Sequence, residues 1–271
     1  MQNIARDDVP RTRFLGTVFD QIDMDGALRL AQAAMRDRRR LQHSDVNVAK
    51  IVQMKDDPDL RRYVAASDLV CVDGMGVVWG AGLLGVPVAG RVTGVDLMMR
   101  TLDLCAREGF RPFFFGARQS VLEDMLARLA ESHPTLAVAG IRNGYFTPEE
   151  EPGIVEEIRA SGADCLFVGI TSPIKERFLH DHRDALGVPF QIGVGGAFDV
   201  VSGNVPRAPA LVQRIGMEWL FRVLQEPRRL FRRYLTTNSR YAGLLLAEML
   251  RRLAGAGDRD RDDRNGQGSR S

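Results

Sequence analysis

Short apolar segments at 69–72, 112–116, 136–140, 164–170 and 190–194 alternate along the chain with longer stretches whose apolar residues recur at helical spacing. A strand buried on both faces reads as an unbroken apolar run, and strands separated by helical crossovers pair in parallel. The expected fold is therefore α/β: a Rossmann-like, mainly parallel sheet with helices on both faces. A further short strand is expected at 14–19, and helices at 26–40, 46–55, 58–66, 94–107 and 120–132. The length, 271 residues, suits one large α/β domain with an appendage.

From Ala208 onward the strand pattern stops and the chain becomes helical, Arg-rich and studded with large apolar residues. The expected organisation is an α/β domain at 1–206, a basic helical appendage at 207–254 and a disordered tail at 255–271. The tail has almost no apolar content. The whole chain carries a formal charge of +2, but the segment 207–252 holds ten Arg, no Lys and three Glu. Such a block points to a polyanionic partner or to a solvated helix face.

Cys71, Cys105 and Cys165 are widely spaced and lie mostly in apolar surroundings, as buried free thiols of a reducing compartment do. No Cys/His cluster has zinc-ligand spacing, so no metal site is expected. The start of the chain lacks the apolar core of a signal peptide. The apolar stretch 69–90 contains Asp73, Pro87 and many glycines, which favours a strand–turn–helix over a membrane span. Any membrane contact is expected to be peripheral.

Ligands of parallel α/β sheets bind beyond the carboxyl ends of the strands, so the loops there carry the candidate chemistry. Val72-Asp73-Gly74-Met75-Gly76 places a carboxylate at a strand tip followed by a glycine-rich turn. Arg91-Val92-Thr93-Gly94-Val95-Asp96 supplies an arginine for carboxylate or phosphate oxygens, and Thr93 as the cap of an anion-friendly helix start. The alternative is a structural turn aspartate and a surface ion pair. A dinucleotide-binding turn at Gly74, Gly76 and Gly80 is a weaker reading, since Asp73 would face the pyrophosphate.

Gly193 to Asp199, with Ser202 to Pro209, forms a second glycine-bearing loop. Gly195, Asp199 and Arg207 there are candidates for phosphate or nucleoside contact, or for a tight turn. In Gly169 to Glu176, Pro173 is expected to open a helix with Ser172 as its cap, and Lys175 to point at phosphate or at water. In the appendage, Arg222 and Arg229 sit among aromatic and apolar residues, as on a helix that meets anionic lipid or a diphosphate.

Together these segments resemble the WecG/TagA/CpsF glycosyltransferase family. The resemblance rests on Val72-Asp73-Gly74-Met75-Gly76, Arg91 to Asp96, Phe114-Phe115-Gly116, Gly144-Tyr145-Phe146, Val168-Gly169, Gly193 to Asp199, Arg207-Ala208-Pro209, and Glu218 to Arg222 with Glu226 to Arg229, in family order. It implies an inverting, metal-independent hexosyltransferase that needs no cofactor. Its donor would be a UDP-sugar carrying an N-acetylmannosamine-like, glucose or uronic acid residue. Its acceptor would be a polyprenyl-diphosphate-linked sugar of surface polysaccharide biosynthesis.

By the same resemblance Asp73 is the expected general base and Arg91 is expected to serve activity. Asn47, Thr93, Asp96, Lys175, Glu176, Gly195, Asp199, Arg207, Arg222 and Arg229 are expected to bind substrate. The expected location is the cytoplasmic face of the plasma membrane, held peripherally on anionic lipid, with no nucleic-acid partner; a homo-oligomer is left open. Two alternatives are an NAD(P)-dependent oxidoreductase and a non-catalytic anion- or nucleic-acid-binding protein. The chain departs from the family pattern twice. Lys175 stands where members commonly have Gln, and Asp45 where many have Thr.

Overall fold

The computed structural model describes residues 5–214, 216–225 and 227–267, with side chains except at 210, 214, 222, 227–230, 233 and 255–267. The elements run β1 (Arg11–Phe14), β2 (Thr17–Asp20), α1 (Met24–Arg36), β3 (Leu41–Val46), α2 (Val48–Asp56), α3 (Pro58–Ala65), β4 (Leu69–Val72) and α4 (Met75–Leu83). They continue with α5 (Gly94–Glu108), β5 (Pro112–Gly116), α6 (Gln119–Ser132), β6 (Gly140–Arg142), α7 (Glu151–Ala160), β7 (Cys165–Gly169), α8 (Ile174–Asp181), β8 (Phe190–Gly193) and α9 (Ala197–Val201). The appendage contributes α10 (Ala210–Arg214), α11 (Glu218–Gln225) and α12 (Pro227–Gln267).

Six strands form one sheet in the order β4-β3-β8-β7-β5-β6, and every neighbouring pair is parallel. The side chains alternate between two faces, as the two-residue strand period requires. Leu69, Cys71, Phe114, Cys165 and Phe167 join α1, α5 and α6 in one core. Val70 and Val72 face α2, α4 and α12 on the other side. Phe113, Phe115, Leu166 and Val168 pack on that side against α7 and α8. The Rossmann-like α/β architecture expected from the sequence is what forms.

The chain steps from β3 outward to β4 on one side and from β5 outward to β6 on the other. The carboxyl ends of β3, β8 and β7 therefore lie where the winding direction changes, the place such sheets use for ligands.

Several boundaries differ from the sequence reading. The segment expected as one strand at 14–19 is a hairpin, β1 paired antiparallel with β2. Leu15 and Gly16 both have positive φ, the conformation a tight two-residue hairpin turn needs. The helix expected at 26–40 ends at Arg36, and β3 follows. This central strand was missed because Gln42, His43, Ser44 and Asp45 are polar yet all buried. Consequently the helix expected from 46 begins at Val48, with Asn47 as its cap. The strand expected at 136–140 is displaced to Gly140–Arg142.

The appendage docks on the α/β unit through α2 and α4. Tyr241 of α12 is buried and its hydroxyl donates to the Gly76 carbonyl at 3.0 Å. A Cβ at Gly80 would stand 2.2 Å from that hydroxyl oxygen, so the close approach of α12 requires glycine there. Arg240 adds a two-pronged ion pair to Asp56 at 2.8 Å. Of the tail expected to be disordered at 255–271, the backbone to Gln267 continues α12, and residues 268–271 lie outside the described ones.

Candidate active site

Asp73 is the first residue beyond β4. Its backbone N–H donates to the Val46 carbonyl of β3 at 2.9 Å, which ties it to the end of the neighbouring strand. The residue is partly buried. Among the described residues no group hydrogen-bonds to its carboxylate. Desolvation and the nearby carboxylates of Asp45 and Glu218 push its pKa up to about 7, against the pull of Arg91 and Lys50. A carboxylate in this state is a competent proton acceptor near neutral pH.

Arg91 lies in the segment leading to α5. Its Nη1 is 3.6 Å from Glu218 Oε2 of α11, and its Nη2 is 3.4 Å from the Gln213 carbonyl. Thr93 caps α5: its hydroxyl oxygen accepts from the Asp96 N–H at 3.2 Å and donates to Asp96 Oδ2 at 2.6 Å. Arg207 pairs with Asp96 at 2.5 Å and approaches Glu218 at 4.0 Å. Burial works against the Asp96 charge, but the Thr93 and Arg207 hydrogen bonds hold its pKa below the ordinary value. The expected cap at Thr93 is thus in place, and Arg91, Asp96 and Arg207 meet around Glu218.

Below Asp73, β3 contributes a buried charge cluster. Asn47 caps α2 by accepting from the Lys50 N–H at 3.0 Å, and its Nδ2 reaches Asp45 Oδ2 at 3.4 Å. Gly74 lies directly against Asn47. Lys50 Nζ bridges Asp45 at 2.8 Å and Glu176 at 2.9 Å, and Lys175 Nζ stands 3.4 Å and 3.6 Å from the same two oxygens. Burial opposes the Asp45 charge, but Lys175 and Lys50 keep it well below the usual carboxylate range. Burial alone would lower Lys50, yet Asp45 and Glu176 raise it above its ordinary value. His43, fully buried beneath, is lowered to about 4, chiefly by burial, and is neutral at pH 7.

Lys175 and Glu176 therefore face inward, and Lys175 does not reach into water. The helix they open, α8, begins at Ile174, and Ser172 makes no cap: Pro173 holds that position without a side-chain bond, having no group to supply one. Gly195 lies beside the Lys175 ammonium. Asp199 is half-buried in α9. Arg222 and Arg229 lie outside the described side chains. Of the other appendage arginines, Arg240 is paired with Asp56, and Arg251 and Arg252 with Glu248.

The three cysteines are free and buried. Among the described residues no cluster of His, Cys, Asp or Glu is placed to hold a metal ion. The turn at Gly74, Gly76 and Gly80 serves helix packing, since Gly80 receives Tyr241, and Asp96 is engaged by Arg207.

A family model, "Glycosyl transferase WecG/TagA/CpsF family", matches residues 12–255. The chain belongs to this family. The WecG/TagA/CpsF match covers the α/β unit from residue 12 and continues through α11 into α12. The chain is also 35% identical over 173 residues to the N-acetylglucosaminyldiphosphoundecaprenol N-acetyl-beta-D-mannosaminyltransferase of Bacillus spizizenii. The aligned region covers 64% of this chain and 66% of that relative, just under two thirds of its length.

Sequence reasoning missed Lys50, Glu218 and Tyr241 as parts of this assembly. Lys50 was hidden inside a helix that reads as ordinary. Glu218 stood in a recognised motif, but nothing local links it to Arg91 and Arg207, more than ten positions from either.

Proposed function

We propose that this WecG/TagA/CpsF-family protein transfers a hexose-type sugar from a UDP-sugar to a polyprenyl-diphosphate-linked sugar acceptor. The observation that carries the proposal is Asp73: a partly accessible carboxylate at a strand tip, raised to about 7 by its surroundings and flanked by cationic groups. The name of the Bacillus relative supports a lipid-linked acceptor and an N-acetylmannosamine-type sugar.

In the proposed step Asp73 accepts the proton of an acceptor hydroxyl while that oxygen attacks the anomeric carbon from the face opposite the leaving group. The anomeric C–O bond breaks, and UDP departs with the bonding electrons. Arg91 and Arg207, both drawn toward Glu218 in the structure, turn to the departing diphosphate, assisted by the N-terminus of α5. Asn47, Thr93 and Asp96 orient sugars. Gly195 and Asp199 line the nucleotide, with Lys175 and Glu176 behind them. Arg222 and Arg229 add charge from the appendage. The charge of the leaving group is met by side chains, so transfer is expected to persist in EDTA.

The acceptor's lipid requires a membrane surface nearby. No described helix is long and apolar enough to cross a bilayer. Trp79 and Leu83 of α4 and Phe231, Leu235, Leu246, Leu250 and Leu253 of α12 are all exposed. These side chains, with the basic residues of the appendage, suit peripheral contact with anionic lipid at the cytoplasmic face. The test is an assay of UDP release with a short-chain polyprenyl-diphosphate N-acetylglucosamine acceptor and a panel of UDP-sugars. Acceptor-dependent release supports the proposal; no release with any donor contradicts it.

A further inference from the structure

Asp45 and Lys175, 130 positions apart in the sequence, meet in space. Asp45 lies near the end of β3 and Lys175 in the first turn of α8, yet Lys175 Nζ is 3.4 Å from Asp45 Oδ1. Both residues are more than nine-tenths buried, at 6% and 7% exposure. Either charge alone would be costly in such surroundings; together they compensate one another.

The pairing is lopsided. Lys50 takes the short contacts to Asp45 and Glu176, at 2.8 Å and 2.9 Å, while Lys175 reaches the same oxygens only at 3.4 Å and 3.6 Å. Ordinary hydrogen bonds from nitrogen run to about 3.2 Å. An ammonium has three donors, so among the described residues Lys175 retains donor capacity that the cluster does not absorb.

The location of that capacity is defined by two close approaches. A Cβ on Gly193 would stand 3.0 Å from Lys175 Cδ, and one on Gly195 would stand 3.7 Å from Nζ. The lysine stem therefore runs under the end of β8, and its ammonium comes up beside the loop assigned above to the nucleotide.

We propose that Asp45 and Lys175 act as one specificity-determining unit. Asp45 makes a charged residue tolerable at position 175, and the Lys175 ammonium donates to an anionic oxygen of the donor. That oxygen belongs either to a carboxylate on the sugar or to the diphosphate. A glutamine at this position offers a hydrogen bond without the charge. The inference rests on the transferase reading and adds to it the class of donor group that Lys175 recognises.

The test is titration calorimetry of the full chain and of the doubly substituted D45T/K175Q, which removes one charge of each sign. The probes are UDP, UDP-glucose and UDP-glucuronate. If the diphosphate is the partner, all three bind about tenfold more weakly to the double variant. If a sugar carboxylate is the partner, the unsubstituted chain prefers UDP-glucuronate over UDP-glucose by about tenfold, and the double variant loses that preference while holding UDP unchanged. Equal binding of all three probes by both proteins overturns the inference and leaves the transferase reading standing. No binding of any probe by the unsubstituted chain sinks both. Lys175→Arg and Lys175→Gln guard against a double variant that does not fold. The first is expected to keep the anion-dependent affinity and the second to lose it, and identical binding by these two also overturns the inference.

Discussion

Arg91 Nη1 lies 3.6 Å from Glu218 Oε2, so a carboxylate from the appendage faces an arginine of the candidate active site. Glu218 also helps raise Asp73, after burial and Asp45. Two consequences follow from removing that charge. In Glu218→Gln, Arg91 is freed and Asp73 becomes the stronger acid. The acid limb of the kcat/KM profile, expected near pH 7 in the unsubstituted protein, should move to lower pH. A limb that stays in place would show that Glu218 does not act on the base.

Asp73 should also leave a mark on stability. Its folded pKa of about 7 lies above its ordinary carboxylate value, so the folded state holds a proton that the unfolded chain releases. Between about pH 4 and 7 this contribution falls as pH rises, and above 7 its full cost remains. Asp73→Asn is therefore expected to melt higher than the unsubstituted protein at pH 8, with the gap closing toward pH 4. Thermal unfolding across this range checks it, and a variant less stable at pH 8 would contradict it.

The buried cluster depends on Lys50. Lys50→Met leaves Lys175, at its longer distances, as the one cation beside Asp45 and Glu176 among the described residues. Breaking one partner out of a buried ion network costs about 3–5 kcal/mol. Denaturant unfolding should show a loss of this size, partly recovered in D45N/K50M, where the opposed charge is also gone. A loss below about 1 kcal/mol, the size of a surface pair, would contradict the structural role.

Much of this was legible in the sequence, and the failures have physical causes. The strands at 69–72 and 112–116 announced themselves because both of their faces meet helices and their side chains are apolar throughout. β3 is equally buried, but its side chains are polar: Ser44 bonds Ser67 at 2.8 Å and Asp45 bonds Lys50 of α2, while among the described residues neither ring nitrogen of His43 has a hydrogen-bond partner. Periodicity cannot report a strand whose burial rests on ion pairing. Asp73, Arg91 and Thr93 were readable from strand-end and cap chemistry. The ion pair of Lys175 was not legible because Asp45, its partner on β3, lies over a hundred residues earlier. The convergence of Arg91 and Arg207 on Glu218 depends on how the appendage folds back, which no local pattern encodes.

The docking of α12 offers a separate check. Gly80→Ala places a methyl group against the Tyr241 hydroxyl. The expected result is faster proteolytic cleavage in the appendage and weaker sedimentation with anionic vesicles, while the α/β unit keeps its circular dichroism. Unchanged protection would mean that α12 is held elsewhere.

The central claim is that Asp73 is the base of sugar transfer. The direct measurement is turnover of Asp73→Asn beside the unsubstituted protein, with UDP binding followed in the same preparations. The expected result is a loss of turnover of about 10²–10⁴-fold with UDP still bound and the fold intact. Near-normal turnover by the Asn variant would contradict the account.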